Sequence, residues 1–196
     1  LERTVIKMIA LDLDGTLALQ NHEVSPLTRD ALDDLHHNGV EVVIATGRRY
    51  RTTRYVIENL GFDVFAVCNG GALVKAPDQS TVYNENFSIL PFLMLTRELN
   101  LTLFAQRDAH DHGGADFVLD SVPAWNEVTD RHVANNHDWC EVRDLTNSGK
   151  EFMVAGCFGH EKELNRLADQ IANDNGSIYK TIIVPHLESD WFYCEI

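Results

Sequence analysis

Val5-Ile6-Lys7-Met8-Ile9-Ala10-Leu11, followed at once by Asp12-Leu13-Asp14-Gly15-Thr16, is the stretch that decides the fold. The mostly apolar run reads as a strand buried on both faces. It stops at two carboxylates one residue apart, and then a glycine. Side chains two apart on an extended chain point the same way, so Asp12 and Asp14 can converge on one small volume. Gly15 lets the chain turn away just beyond them. Two acids at the carboxyl end of a buried strand lie where open α/β sheets bind ligands. Like charges this close need a cation, a shared proton or a hydrogen-bond cage. A divalent metal is the simplest answer, and Mg²⁺ suits carboxylate oxygens. The plain alternative is a strand followed by an acidic turn.

Working outward, Ser25-Pro26 leads into a helix around Thr28–Asn38, with Leu27, Ala31, Leu32 and Leu35 on one face and Gly39 at its end. Val40–Ala45 is a second apolar strand, and Thr46-Gly47-Arg48 follows it. A helix over about 50–60 closes at Gly61, and Val64–Cys68 is a third strand ending in Asn69-Gly70-Gly71. Buried strands alternating with helices imply a parallel, doubly wound, Rossmann-like sheet. Ala72–Lys75 and Thr81–Tyr83 then read as a hairpin. After it the pattern changes. A helix near 88–99, a strand at Leu101–Gln106, and a polar loop at Asp108–Gly114 lead to a segment holding Pro123-Ala124-Trp125. Further strands are expected at 139–144, 151–157, 177–184 and 191–196, with a helix at about 160–173. Strands without intervening helices point to a mixed or antiparallel sheet with helices on one face. The expected organisation is an α/β core over 1–85 and an α+β module over 86–196.

With 196 residues, the chain has room for one large domain or two small ones. No segment approaches the apolar length of a bilayer span, and residues 1–20 lack a signal pattern, so a cytoplasmic protein is the default expectation. The formal net charge of −14 argues against a nucleic-acid surface. An anionic substrate must then be recruited locally, and Arg48, Arg49, Arg51 and Arg54 form the densest basic cluster. Cys68, Cys140, Cys157 and Cys194 have no paired spacing for zinc or a redox couple, and read as buried reduced thiols.

In a parallel sheet the ends of the three strands lie side by side, which gathers Asp12 and Asp14, Thr46-Gly47-Arg48 and Asn69-Gly70. Their chemistry is coherent. One aspartate can attack phosphorus and carry the phosphoryl group, while a second protonates the leaving oxygen and later deprotonates water. Thr46 can hydrogen-bond a phosphoryl oxygen, and main-chain amides after a strand can form an anion nest. Mg²⁺ would offset the repulsion between nucleophile and phosphate.

Asp12-Leu13-Asp14-Gly15-Thr16, with Ala45-Thr46-Gly47-Arg48 and Asn69-Gly70-Gly71, resembles the haloacid dehalogenase superfamily, and more narrowly the Cof-like sugar-phosphate phosphatases with a large α/β cap. The resemblance runs along the whole chain, including the pattern over Lys150–Gln170. It implies Asp12 as nucleophile and Asp14 as general acid/base, with Mg²⁺ on the Asp12 carboxylate and the Asp14 main-chain carbonyl. It also implies that Thr46 steadies the phosphoryl group. The phosphate-binding set is then Leu13, Thr46, Gly47, Arg48 and Asn69. The expected substrate is a small phosphorylated metabolite, a sugar phosphate or related cofactor, with no nucleic-acid or membrane partner.

The family pattern continues beyond the cap with a lysine and a Gly-Asp that complete the site. Lys150 opens a predicted cap strand and Lys180 fits the start of another, so neither matches that lysine. About half of the core sheet is expected within these residues, which read as a fragment with exposed apolar surface. Two other readings follow: a catalytically incomplete binding module, whose open edge self-association would cover, and a phosphomutase with the same covalent chemistry. Arg48 either clamps a substrate phosphate or caps backbone and pairs with acids. Arg49, Arg51 and Arg54 read as solvated helix positions. Asn69 is expected to fix its loop by side-chain hydrogen bonding, with substrate contact as the alternative. His110-Asp111-His112 reads as a surface loop of the cap rather than a metal pair, and could face the site from above. His132 and His137 have no evident partner, and Trp125 and Trp139 read as cap core.

Overall fold

The computed structural model describes residues 5–18, 23–109, 113–122, 125–175, 179–186 and 190–196, the side chains of 174 and 175 excepted. The chain divides into two compact units, residues 1–85 and 86–196. In the first, β1 (Met8–Asp12), β2 (Glu41–Ala45) and β3 (Phe65–Cys68) lie parallel in that order, and the hairpin β4 (Leu73–Lys75) and β5 (Thr81–Asn84) extends the sheet antiparallel. The helices α1 (Pro26–His37) and α2 (Tyr50–Glu58) are the two crossovers. Ser25 caps α1, its hydroxyl accepting from Thr28 N–H at 3.1 Å with Pro26 in the first turn. The strand order runs one way only. A right-handed crossover in one direction always lands on the same side, so both helices bury Leu32 and Val56 against Leu13, Val42 and Ile44.

That arrangement corrects three expectations for this unit. Double winding is absent among the described residues, because no strand order reversal carries a helix to the other face. β1 is not buried on both faces: Met8 is 61% exposed, with Val5 and Ile6 also open. The α1 stripe also shrinks to Leu32, since Leu27 is 82% exposed and Ala31 and Leu35 face solvent. Nothing among the described residues of this unit covers those positions. Lys75 is fully buried, its ammonium donating to Thr81 Oγ1 at 2.8 Å and lying 5.3 Å from the Tyr50 ring centroid.

The second unit is a six-stranded sheet in the order β10-β11-β9-β6-β7-β8. Its strands are β6 (Phe104–Gln106), β7 (Phe117–Asp120), β8 (Cys140–Arg143), β9 (Val154–Gly159), β10 (Ile182–Pro185) and β11 (Phe192–Glu195). All neighbours are antiparallel except β7 and β8. One face carries Ala105, Val118, Ala155, Cys157 and Cys194 against α3 (Leu90–Glu98) and α5 (Glu161–Asn175). The alternate residues Phe104, Phe117, Leu119 and Phe158 form a second core with Val128 of α4 (Glu127–Asn135). Helices therefore cover both faces, not one. Both β7 and α4 were missed in the sequence: β7 is a four-residue run, and α4 is polar with Val128 and Thr129 its only buried residues. Asn126 caps its start, Oδ1 accepting from Thr129 N–H at 2.8 Å.

Candidate active site

Each acid of the opening motif leaves β1 in a different environment. Asp12 ends the strand with its side chain exposed, and Thr16 Oγ1 donates to its Oδ2 at 3.3 Å. The Leu13 side chain drops fully into the core. Its carbonyl accepts from Leu17 N–H at 3.1 Å and Ala18 N–H at 2.8 Å. Gly15, at φ 75°, makes this tight turn possible. Asp14 lies above the turn with its side chain 53% exposed.

Arg48, from the loop after β2, reaches Asp14 with a two-pronged contact: Nε donates to Oδ2 at 2.8 Å and Nη2 donates to Oδ1. Of the two roles open to Arg48, pairing with an acid is the one seen. Thr46 is buried, and its hydroxyl oxygen accepts from Arg48 N–H at 3.2 Å. Gly47 is exposed, with no atom within 4 Å of where a side chain would begin. The third loop is tied to the second through main chain. Asn69 N–H donates to the Arg48 carbonyl at 2.9 Å and Gly70 N–H donates to the Thr46 carbonyl at 3.3 Å. Asn69 sits in the left-handed region at φ 53°, followed by Gly70 and Gly71 at 62° and 104°. The Asp14–Arg48 fork and the main-chain bonds of Asn69 and Gly70 thus join the three strand-end loops that carry the seven candidate residues.

The neighbouring arginines divide. Arg51 is buried, which corrects its reading as a solvated position, while Arg54 pairs with Glu58 one turn on. His110-Asp111-His112, Pro123 and Ala124 lie outside the described residues. His132 packs on Phe117 with ring centroids 4.8 Å apart, and His137 faces Asp138 at 3.0 Å. Trp125 is partly buried in the second core of its unit, and Trp139 is half-buried. Cys140 is half-buried, unlike the other three thiols. Cys157 and Cys194, far apart in sequence, stand opposite each other on β9 and β11. A hydrogen bond to Cys194, and then burial, hold the Cys157 thiol well above the usual thiol range.

Among the described residues no group of three His, Cys, Asp or Glu gathers around a point. The end of β1 nevertheless offers two carboxylates and main-chain carbonyls, all hard oxygen donors. Magnesium is commonly held by one or two carboxylates plus water and substrate phosphate, so the donor set fits Mg²⁺ in kind. Among the described residues no helix is long and apolar enough to cross a membrane.

Residues 9–196 match the family model of the haloacid dehalogenase-like hydrolases. Among curated proteins, the chain is 35% identical over 80 residues to phosphatase YwpJ of Bacillus subtilis, covering 41% of this chain and 28% of that protein. It is 24% identical over 153 residues to an HMP-PP phosphatase of Yersinia pestis, covering 69% of this chain and 54% of that one. The chain thus spans about half, or less, of the length of these relatives. Among solved structures, a haloacid dehalogenase-like hydrolase from Bacteroides thetaiotaomicron superposes with a TM-score of 0.69 at 18% identity, covering 98% of this chain and 71% of that one. A protein from Geobacillus kaustophilus reaches 0.73 at 19% identity, covering 98% and 69%.

Proposed function

Because this chain belongs to the haloacid dehalogenase-like hydrolase family, we propose that it is a Mg²⁺-dependent phosphomonoester hydrolase working through an aspartyl phosphate on Asp12. The observation that carries this reading is the stitched cluster of strand-end loops, which sets an exposed, lightly held carboxylate beside a second one gripped by arginine.

Asp12 is the nucleophile. Oδ2 accepts a long hydrogen bond from Thr16 Oγ1, and the exposed carboxylate can be approached from solvent. Its attack on phosphorus breaks the bond to the leaving alkoxide, which takes a proton from Asp14. Asp14 then accepts a proton from water as that water attacks the same phosphorus, releasing inorganic phosphate and regenerating Asp12. Arg48 couples binding to this role. With both Asp14 oxygens in its fork, the carboxylate is occupied until the fork opens. A half-exposed ion pair is worth only about 0–1 kcal/mol, so an entering phosphate dianion can draw Arg48 away, and the freed Asp14 takes up a proton from solvent before giving it to the leaving oxygen. Thr46, Gly47, the main chain at Leu13, and Asn69 form the remainder of the phosphoryl cradle. The Asp12 carboxylate and Asp14 carbonyl would hold Mg²⁺, which when bound offsets the charge between nucleophile and phosphate. The names of the phosphatase relatives support a small phosphorylated metabolite as substrate. Residues 86–196 would then choose among such substrates.

The test is turnover of 4-nitrophenyl phosphate by the full-length protein and its Asp12→Asn variant. Removing a covalent nucleophile is expected to cost roughly 10⁴-fold or more in kcat, and removing Mg²⁺ with a chelator should silence the unmodified protein. Undiminished turnover by the variant overturns the assignment. Isotope-labelled phosphate passing to a sugar acceptor without release would mark a mutase instead.

A further inference from the structure

Cys157 on β9 and Cys194 on β11 are register partners in the second unit. The ladder fixes how close they stand. Two residues along, Ala155 and Ile196 exchange both main-chain hydrogen bonds, at 2.8 and 3.4 Å. Hydrogen-bonded and open pairs alternate, so Cys157 and Cys194 form the next hydrogen-bonded pair, with Cα atoms about 5.5 Å apart. That separation falls within the window of roughly 4.4–6.8 Å that a disulfide spans. Directly opposed residues also send their side chains to one face, here the face that α3 and α5 cover. Both cysteines are reduced and fully buried.

The two sulfurs are chemically uneven. A hydrogen bond from the Cys157 thiol lowers Cys194, and the same bond raises Cys157. Cys194 is therefore the sulfur that ionises first, with Cys157 holding a proton against it. Their place in the sheet is uneven as well. Among the described residues β10 pairs only with β11, and β11 joins the other strands only through β9. β10 is an open edge, with Ile182 60% and Val184 41% exposed. Local opening costs least at such an edge, and lifting β11 from β9 brings Cys194 to water.

We propose that Cys157 and Cys194 are a reversible dithiol switch, oxidised by a small hydroperoxide to a cross-strand disulfide that locks β11, and β10 with it, onto β9. With hydrogen peroxide, the Cys194 thiolate attacks one oxygen and breaks the O–O bond. A sulfenic acid forms, and the departing hydroxide takes up the proton that Cys194 had released. The Cys157 sulfur then attacks the Cys194 sulfur, and the S–O bond breaks. Hydroxide leaves with the Cys157 proton as a second water. Two thiols give up two electrons and two protons, and the peroxide is reduced to two waters. A dithiol reductant reverses the bond by thiol–disulfide exchange. The switch makes no use of Asp12 and stands whether or not the protein is a phosphatase.

The full-length protein, treated with hydrogen peroxide while folded, then alkylated in denaturant, digested and mapped by mass spectrometry, tests this. The expected product is one linked peptide pair holding Cys157 and Cys194, lighter by about 2 Da than the two thiols and separated again by dithiothreitol. Amide hydrogen exchange in β10 and β11 should slow at least about tenfold in the oxidised form. Full alkylation of both cysteines after peroxide, a bridge to another cysteine in place of this one, sulfinic acid at either position without the bridge, or unchanged exchange in β10 and β11 each overturns the proposal.

Discussion

Two arginine–aspartate forks hold chain together here, one in each unit, and they differ in how far water reaches them. In the first, Arg48 grips Asp14, whose side chain is 53% exposed. In the second, Arg97 grips Asp120, which is fully buried, at 2.8 and 2.7 Å, and also reaches Asp144 at 2.7 Å and Thr146 at 3.0 Å. The contacts are chemically alike. Solvent makes them different devices: the outer pair is open to water, while losing Arg97 would leave the Asp120 carboxylate buried without its ion-pair partner.

The most forceful way to break this contrast is Arg97→Ala, which strands the buried Asp120 carboxylate. It is expected to destabilise the second unit by about 3–5 kcal/mol, read as a shift of the urea midpoint for unfolding. A loss below about 1 kcal/mol would put the two forks in the same class. Gly156→Ala comes next, testing packing in the same unit without touching a charge. The added methyl would stand 2.5 Å from the Cys194 carbonyl oxygen and 2.7 Å from the Phe104 ring. The cost expected from such overpacking is about 1–3 kcal/mol.

Acid sharpens the comparison further. Burial pushes the Glu151 carboxyl upward, but Arg143 and Arg107, at 2.7 and 2.9 Å, outweigh it and hold the group below its ordinary value. Hydrogen bonds from Thr146 and Arg97 lower Asp144 in the same sense. A lowered folded-state value means that the stabilisation is complete above the unfolded carboxylate value of about 4.3 and disappears as pH falls through the folded one. Glu151→Gln should therefore lower the melting temperature at neutral pH, and the gap from the unmodified protein should close in strong acid. A gap that persists at the lowest pH would assign the effect to shape, not charge. The smallest stability change is expected from Asp14→Ala, about 0–1 kcal/mol by urea titration. Turnover of 4-nitrophenyl phosphate should nevertheless collapse in that variant. A large stability loss there would make Asp14 a structural residue.

Legibility followed the same division. The three strand-end motifs could be read because parallel strands bring their carboxyl ends together whatever the details of packing. Period and punctuation likewise located β1–β3, the β4–β5 hairpin, α2, α3 and α5. β7 and α4 escaped because Phe117–Asp120 is too short for a periodic signal and α4 shows little apolar face. The aromatic core around Phe104 could not be read at all, since its four rings come from four strands spread over residues 104–193. Arg51 reads as a solvated helix position and Lys75 as the end of a hairpin strand, and only their neighbours reveal that both are buried.

Local chemistry in the sequence determined the family, the alternation of strands and helices, and the pair of acids at the end of β1. These are properties of adjacent residues: carboxylate type, glycine's access to positive φ, and apolar periodicity. Tertiary structure alone decided that Arg48 holds Asp14, that Cys157 faces Cys194, and that Phe104, Phe117, Phe158 and Tyr193 pack together. Each of those depends on which distant segments become neighbours and how much water remains between them, and no linear spacing encodes either.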